Sequence, residues 1–304
     1  MKKVLSILML TILLVSCSDS PSQTPSTSDD TSSRSLSGLA CFQGLGSVHN
    51  EILHASLQSF DENTQVLALD EGVDYLVQVQ TEEISKQNYS SQTKSRLTTG
   101  IEEHKNYMIP GVLKQRFDYT NATFVPTTEN IKAASVYQLL AYASEKKLIT
   151  ETEHDILSSL ARLISSNAEG TISNDAYITE LNTIRNDWES VYGKTTYFNP
   201  NSDIIPVSTK LKDGAMSGAV LNIALNSAEY WSTLNDQGEG TDECPWLASD
   251  AAGALVGAVS GGIMSYIQDD EINWSSVGWS ALGGALDSSL GLTGRVTKWI
   301  RHLF

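Results

Sequence analysis

The chain has 304 residues, 36 of them acidic against 20 basic, for a formal charge of −16. That balance argues against nucleic acid as a partner, because a phosphate backbone demands clustered Lys and Arg. It also repels anionic lipid headgroups, so charge alone would not hold the chain to a membrane surface.

Lys2 and Lys3 precede an uncharged apolar run of 12 residues, Val4 to Val15. A helix needs roughly 20 residues to cross a hydrocarbon core, so this run fits a cleavable signal sequence rather than a span. Its end, Leu14-Val15-Ser16-Cys17, resembles the lipobox of bacterial lipoprotein precursors; an ordinary secretory signal is the rival reading. The resemblance implies a signal peptide over residues 1–16, cleavage before Cys17, and acyl chains, palmitate among them, on that cysteine. Loss of Lys2 and Lys3 then takes the formal charge to −18. Resemblance to Gram-negative lipoproteins implies a place in the cell envelope, at the outer membrane. Asp19 and the pair Asp29-Asp30 loosely resemble surface-export signals, but the pair lies well downstream, so the membrane face is left open.

Residues 17–38 form the next segment. From Ser18 to Ser37 it is almost wholly Ser, Thr, Asp and Pro with no aromatic residue, too little apolar surface to offset ordering. It reads as a flexible tether.

Residues 39–200 read as a helical region. Leu45, Val48, Ile52, Leu53, Leu57 and Phe60 recur at three- and four-residue steps, the signature of an amphipathic helix. Val73 to Val79 fits either a short strand or a helix, and helix is preferred. Ile131, Ala134, Tyr137, Leu140 and Ala141 predict a further helix. Thr150 to Glu153 has the form of a capping box, opening a helix with Ile156, Leu157, Leu160, Leu163 and Ile164 inward and Gly170 at its end. Ser173 caps another, carrying Tyr177, Leu181, Ile184 and Trp188. Asn199-Pro200 and Pro206 mark a boundary.

Residues 201–304 form a glycine-rich helical subdomain. Gly214 and Gly218 are expected on a helix from about Lys212 to Trp231. After an acidic loop, Ser249 and Asp250 are expected to cap a helix in which Gly253, Gly257 and Gly261 recur every four residues. Asp269-Asp270-Glu271 leads to a further helix with Ser280, Gly284 and Ser288. Residues four apart share one helix face, so these helices offer grooves without side chains, where backbones can approach. Each interior glycine costs roughly 0.5–1 kcal/mol against alanine, so its repetition implies that close approach is required. Two readings compete: a soluble, tightly packed helical hairpin, or a hairpin that enters a membrane as in glycine-zipper bacteriocins. Ala251 to Ile267 would span only about 25 Å and the second helix meets Asp287, which favours soluble packing. Near the end, Val296, Trp299, Ile300 and Leu303 form an apolar stripe among Arg295, Lys298, Arg301 and His302. Such a stripe either docks on its own domain or lies on a membrane surface, and docking is preferred.

With Cys17 taken by lipid, Cys41 and Cys244 are left either to form one disulfide, closing a loop of about 200 residues, or to stay as buried thiols. The bridge is narrowly preferred.

Catalytic and metal signatures fail on inspection. His49 and His54 are five apart, about 140° round a helix, where a zinc site needs four. His49 and Asn50 are expected to satisfy neighbouring backbone groups and His54 to be solvated. Gly44-Leu45-Gly46 lacks the third glycine of a dinucleotide loop, and no nucleophile elbow or Walker loop is present. The loop from Asn235 to Gly240 has Trp246 where a calcium loop needs its bidentate glutamate. Asp269, Glu271 and Asn273 alternate oxygen ligands without the required glycine. Glu153-His154-Asp155 reads as a solvated helical turn. Neither metal nor cofactor is expected.

Gly46 to Asn50 (Gly-x-x-His-Asn), Ser227 to Trp231 (Ser-x-x-Tyr-Trp) and the acidic-capped, glycine-rich stretch Asp250 to Gly262 occur in this order along the chain. The order resembles that of a group of bacterial lipoproteins with several helices between these motifs, and the resemblance brings no activity with it. The expectation is a mainly α, irregular helical bundle with a C-terminal glycine-zipper hairpin. Its expected role is that of a membrane-anchored exported lipoprotein with a non-enzymatic interaction or envelope-structural duty, toward a protein partner that the residues do not name. A bacteriocin-like antagonist acting through the hairpin is the alternative.

Overall fold

The computed structural model describes residues 38–109, 111–120, 124–195, 213–236 and 247–292, together with Val296 and Trp299. Cys17, the segment expected to act as a tether, Cys244 and the loop from 237 to 246 lie outside them, and so does the pairing of Cys41, itself buried, with Cys244. The protein is mainly α, with ten α-helices and no strand among the described residues.

The helices are α1 (Gln43–Ser59), α2 (Leu69–Lys86), α3 (Ser91–His104), α4 (Val112–Gln115) and α5 (Val136–Glu145). They continue with α6 (Glu151–Ala168), α7 (Asn174–Tyr192), α8 (Ala215–Asp236), α9 (Leu247–Asp269) and α10 (Trp274–Leu292). Three 3-10 turns, Gly38–Phe42, Lys105–Met108 and Asn130–Lys132, join or precede them.

Local chemistry fixes many of the starts. Ser90, Thr150 and Ser173 each accept a bond from the backbone N–H three residues on, satisfying one otherwise orphaned donor. Ser135 and Gln138 form a reciprocal capping box, so α5 begins at Val136. Ile131 and Ala134 therefore precede that helix, and Ala141 faces solvent. Val73 to Val79 lies within α2, because Val73, Leu76, Val77 and Ile84 bury one helical face.

α9 and α10 form the centre of the bundle. α10 packs on α9, α3, α1, α8 and the Lys105–Met108 turn, while α5, α6 and α8 cover the other sides of α9. A helix apolar on all sides must be enclosed by protein or by lipid. α9 is long and apolar enough to cross a membrane, yet 83 % of that stretch is buried within the protein. Nearer the C-terminus, Val296 and Trp299 are buried, and Trp299 Nε1 donates to the Thr64 carbonyl at 3.0 Å. Trp299 also meets the ring of Phe60 edge-on, so this part of the stripe docks on its own domain. Ile300, Leu303 and the basic residues beside them lie outside the described residues.

Two helix starts differ from expectation. Gly214 stands before α8, not on it, in a turn with φ +78° that an L side chain would strain. Ser249 and Asp250 lie inside the first turn of α9, which begins at Leu247.

Candidate functional site

Two helix interfaces of α10 are built on glycine. Cβ atoms added to Gly253 and Gly257 would overlap the carbonyl oxygens of Gly284 and Ser280, and one on Gly284 would overlap the carbonyl of Gly253. At Gly261 the obstacle is a side chain, Ser280 Oγ at 2.5 Å. These four form the α9–α10 seam. Gly218 faces elsewhere, against Phe42 and Trp188 at 2.6 and 2.8 Å. A second seam was missed in the sequence: a Cβ on Gly283 would sit 2.5 Å from the backbone of Gly100, and one on Gly291 would overlap that of Met108. Gly283 and Gly291 are eight apart, a spacing that places them on one face of α10. Asp287 lies between them on that face, buried, with neither carboxyl oxygen bonded among the described residues.

The three short motifs meet in space. Asp250 Oδ2 accepts from Ser227 Oγ and from Trp231 Nε1 at 2.9 Å, and its Oδ1 accepts from Ser249 Oγ at 2.9 Å. His49 Nε2 stands 3.7 Å from Asp250 Oδ2 and 2.9 Å from Ser289 Oγ. Its Nδ1 is 2.9 Å from Asn50 Oδ1, while Asn50 Nδ2 donates to the Asn226 carbonyl at 3.0 Å. The Gly46 N–H donates to Asn222 Oδ1, and a Cβ there would sit 2.5 Å from Asn226, so α1 and α8 are in close backbone approach. His49 and Asn50 thus bind other helices, whereas His54 faces solvent and contacts Tyr230 and Gln58.

A serine, a histidine and an aspartate therefore lie together, but not as a hydrolytic triad. There the nucleophile and the carboxylate meet opposite ring nitrogens; here Ser289 and Asp250 approach the same one. All three side chains are buried. The constellation is a polar clasp between α1, α8, α9 and α10.

Glu153 is the second departure from a solvated reading. It is fully buried, and its Oε2 accepts from the Gly214 N–H at 3.0 Å while its Oε1 accepts from the Ser217 N–H at 3.1 Å. Instead of closing a box on its own helix, the carboxyl caps the start of α8, where orphaned N–H groups favour an anion. Desolvation nevertheless pushes its pKa up to about 7, with the bonds from Ser217 and Gly214 opposing that rise.

A cleft of about 520 Å³ opens between α3, the Lys105–Met108 turn, the 128–132 segment, α9 and α10. Arg96, His104, Tyr107, Lys132, Ser260 and Trp279 are among the residues lining it. Behind its wall lies Arg116, buried, donating to the carbonyls of Ile131, Lys132 and Ala134, to Tyr107 Oη at 3.0 Å and to Ser260 Oγ at 3.3 Å. All five guanidinium donors are used. No carboxylate among the described residues forms an ion pair with it. His104 Nδ1 donates to the Gly100 carbonyl at 2.8 Å. Burial, with the charges of Arg116 and Lys132, holds its pKa down at about 4, so near neutral pH the ring is uncharged and Nε2 is an acceptor. A smaller cavity of about 180 Å³ shares Tyr107 and runs between Phe117, Ile164 and Ala252.

None of these cleft residues stood out in the sequence, since Arg116 sits in a segment without clear periodicity. Among the described residues no three His, Cys, Asp or Glu side chains are grouped to hold a metal ion. Neither protein-family models, nor curated proteins, nor solved structures contain a match to this chain.

Proposed function

We propose that the protein is a lipid-anchored exported protein of the bacterial envelope, held on Cys17, with a non-enzymatic interaction or envelope-structural role. The observation that carries the role is the use made of the reactive groups. His49, Asp250 and Ser289 are sealed in a clasp between helices, and Glu153 is buried as a cap on α8. Groups so enclosed cannot reach a substrate without opening the core. The anchor rests on the lipobox-like Leu14 to Cys17 and the polar segment after it. The competing membrane-active reading draws on the length of α9, but the apolar surface of that helix is already occupied by protein.

Two measurements test the proposal separately. Mass spectrometry of the mature N-terminus is expected to find a diacylglyceryl, acylated Cys17; an unmodified terminus would remove the proposed location. Crosslinking and affinity capture from native envelopes is expected to return a specific partner lost when the protein is displaced from the membrane. Failure to recover one would count against the interaction role.

A further inference from the structure

We propose that the cleft between α3, α9 and α10 binds a small organic oxyanion, a carboxylate or phosphate that also carries a hydroxyl or amino donor. The proposal goes beyond the anchored-protein reading and does not depend on it.

Charge is the first argument. In a chain of formal charge −16, Arg96 and Lys132 line one opening with a single carboxylate, Glu103, and the buried Arg116 lies behind its wall, bonded to the lining residues Tyr107 and Ser260. None of the three cations forms an ion pair among the described residues. A buried guanidinium without a counter-ion is expensive, and an anion in the neighbouring cleft would offset that cost.

Hydrogen-bond direction is the second. Arg116 donates to the oxygens of Tyr107 and Ser260, both of which line the cleft. Each hydroxyl keeps one proton to give, and no acceptor for it is seen among the described residues. A guanidinium bonded to a hydroxyl oxygen strengthens that hydroxyl as a donor. Holding the 131–134 segment explains the three carbonyl contacts of Arg116; it does not explain two hydroxyls poised to donate.

The third argument sets the remaining ligand chemistry. His104 Nε2 is an acceptor without a partner among the described residues, and Glu103 offers another. An oxyanion lacking any donor would leave both unmatched. The cleft volume of about 520 Å³ falls within the range of small-molecule sites.

The test is calorimetric titration of the purified full-length protein in detergent, at constant ionic strength, with sulfate, glycerol 3-phosphate and citrate. Glycerol is the neutral control. Saturable binding of glycerol 3-phosphate or citrate is expected, tighter than that of sulfate, with none for glycerol. A double Arg96→Ala, Lys132→Ala variant and a separate Tyr107→Phe variant are each expected to weaken binding about tenfold or more, the loss of one charge-assisted bond. Lys146→Ala, outside the cleft, is expected to change nothing. No saturation by about 10 mM with any of the three anions would overturn the proposal. So would undiminished binding in the double variant, or in Tyr107→Phe, because the site would then lie elsewhere or on the rim alone. Sulfate, an oxyanion with no proton to donate at neutral pH, binding as tightly as glycerol 3-phosphate or citrate would overturn the requirement for a donor.

Discussion

Gly253 and Gly284 face each other across the α9–α10 seam so closely that a Cβ on either would overlap the other's carbonyl oxygen. The relationship is reciprocal and involves backbone, which no rotamer change can relieve. At Gly261 the neighbour is the Ser280 side chain, which can turn aside. Gly253→Ala is therefore expected to destabilise the protein by about 2 kcal/mol or more, even after the helix-propensity gain of about 1 kcal/mol. Gly261→Ala should stay within about 1 kcal/mol of the parent. Urea denaturation of both variants checks the order; equal midpoints would mean that the seam tolerates separation.

The clasp makes a second expectation. Asp250→Ala strands the buried donors of Ser227 and Ser249 and the half-buried donor of Trp231, and should cost about 3 kcal/mol. Because His49 shares the network, the double variant His49→Ala, Asp250→Ala should lose less than the sum of the single losses, with a coupling of about 1 kcal/mol. Strict additivity in a double-mutant cycle would show that the two residues stabilise the bundle independently.

Buried carboxyls set a pH dependence whose sign follows from proton affinity. The pKa of Glu153 is raised from 4.5 to about 7, so the folded protein holds that proton more tightly than the unfolded chain. Its contribution is complete below pH 4.5 and is lost as pH rises through about 7, a difference of about 3 kcal/mol. Asp287 acts in the same direction, since burial and the charge of Glu102 raise its pKa well above 3.8. His104, whose pKa is held down at about 4, acts in the opposite direction below about pH 6.5, so chemical denaturation is expected to show falling stability from about pH 6.5 to pH 8, with a shallower slope in Asp287→Asn. A steeper slope in that variant, or stability rising toward pH 8, would contradict the assignment of both groups.

The enclosure of α9 predicts behaviour at a bilayer. Purified protein mixed with dye-loaded anionic liposomes should leave them sealed, since the apolar faces of α9 are covered by α5, α6, α8 and α10. Rapid leakage that Gly257→Leu abolishes would instead support the membrane-active alternative.

Much of the helical framework was legible because its determinants are local. The three- and four-residue recurrence of Leu45, Val48 and Ile52, and of Leu157, Leu160 and Ile164, follows from helix geometry alone, and caps such as Ser173 and Thr150 act within one turn. The four-residue glycine repeat likewise announced a close seam, with Gly253 and Gly257 against backbone and Gly261 against the Ser280 side chain.

What those residues would meet was decided by tertiary structure. Glu153 reads locally as a solvated turn, yet a segment some sixty residues on brings the Gly214 and Ser217 N–H groups to its carboxyl. Gly46, His49, Ser227, Trp231 and Asp250 carry no mutual spacing rule, because the bonds joining them cross between helices. The same holds for Arg116, whose partners lie on three separate segments. Periodicity records which face of an element is buried; it holds no information about which polar groups another element will deliver there, and that matching made both the clasp and the cleft.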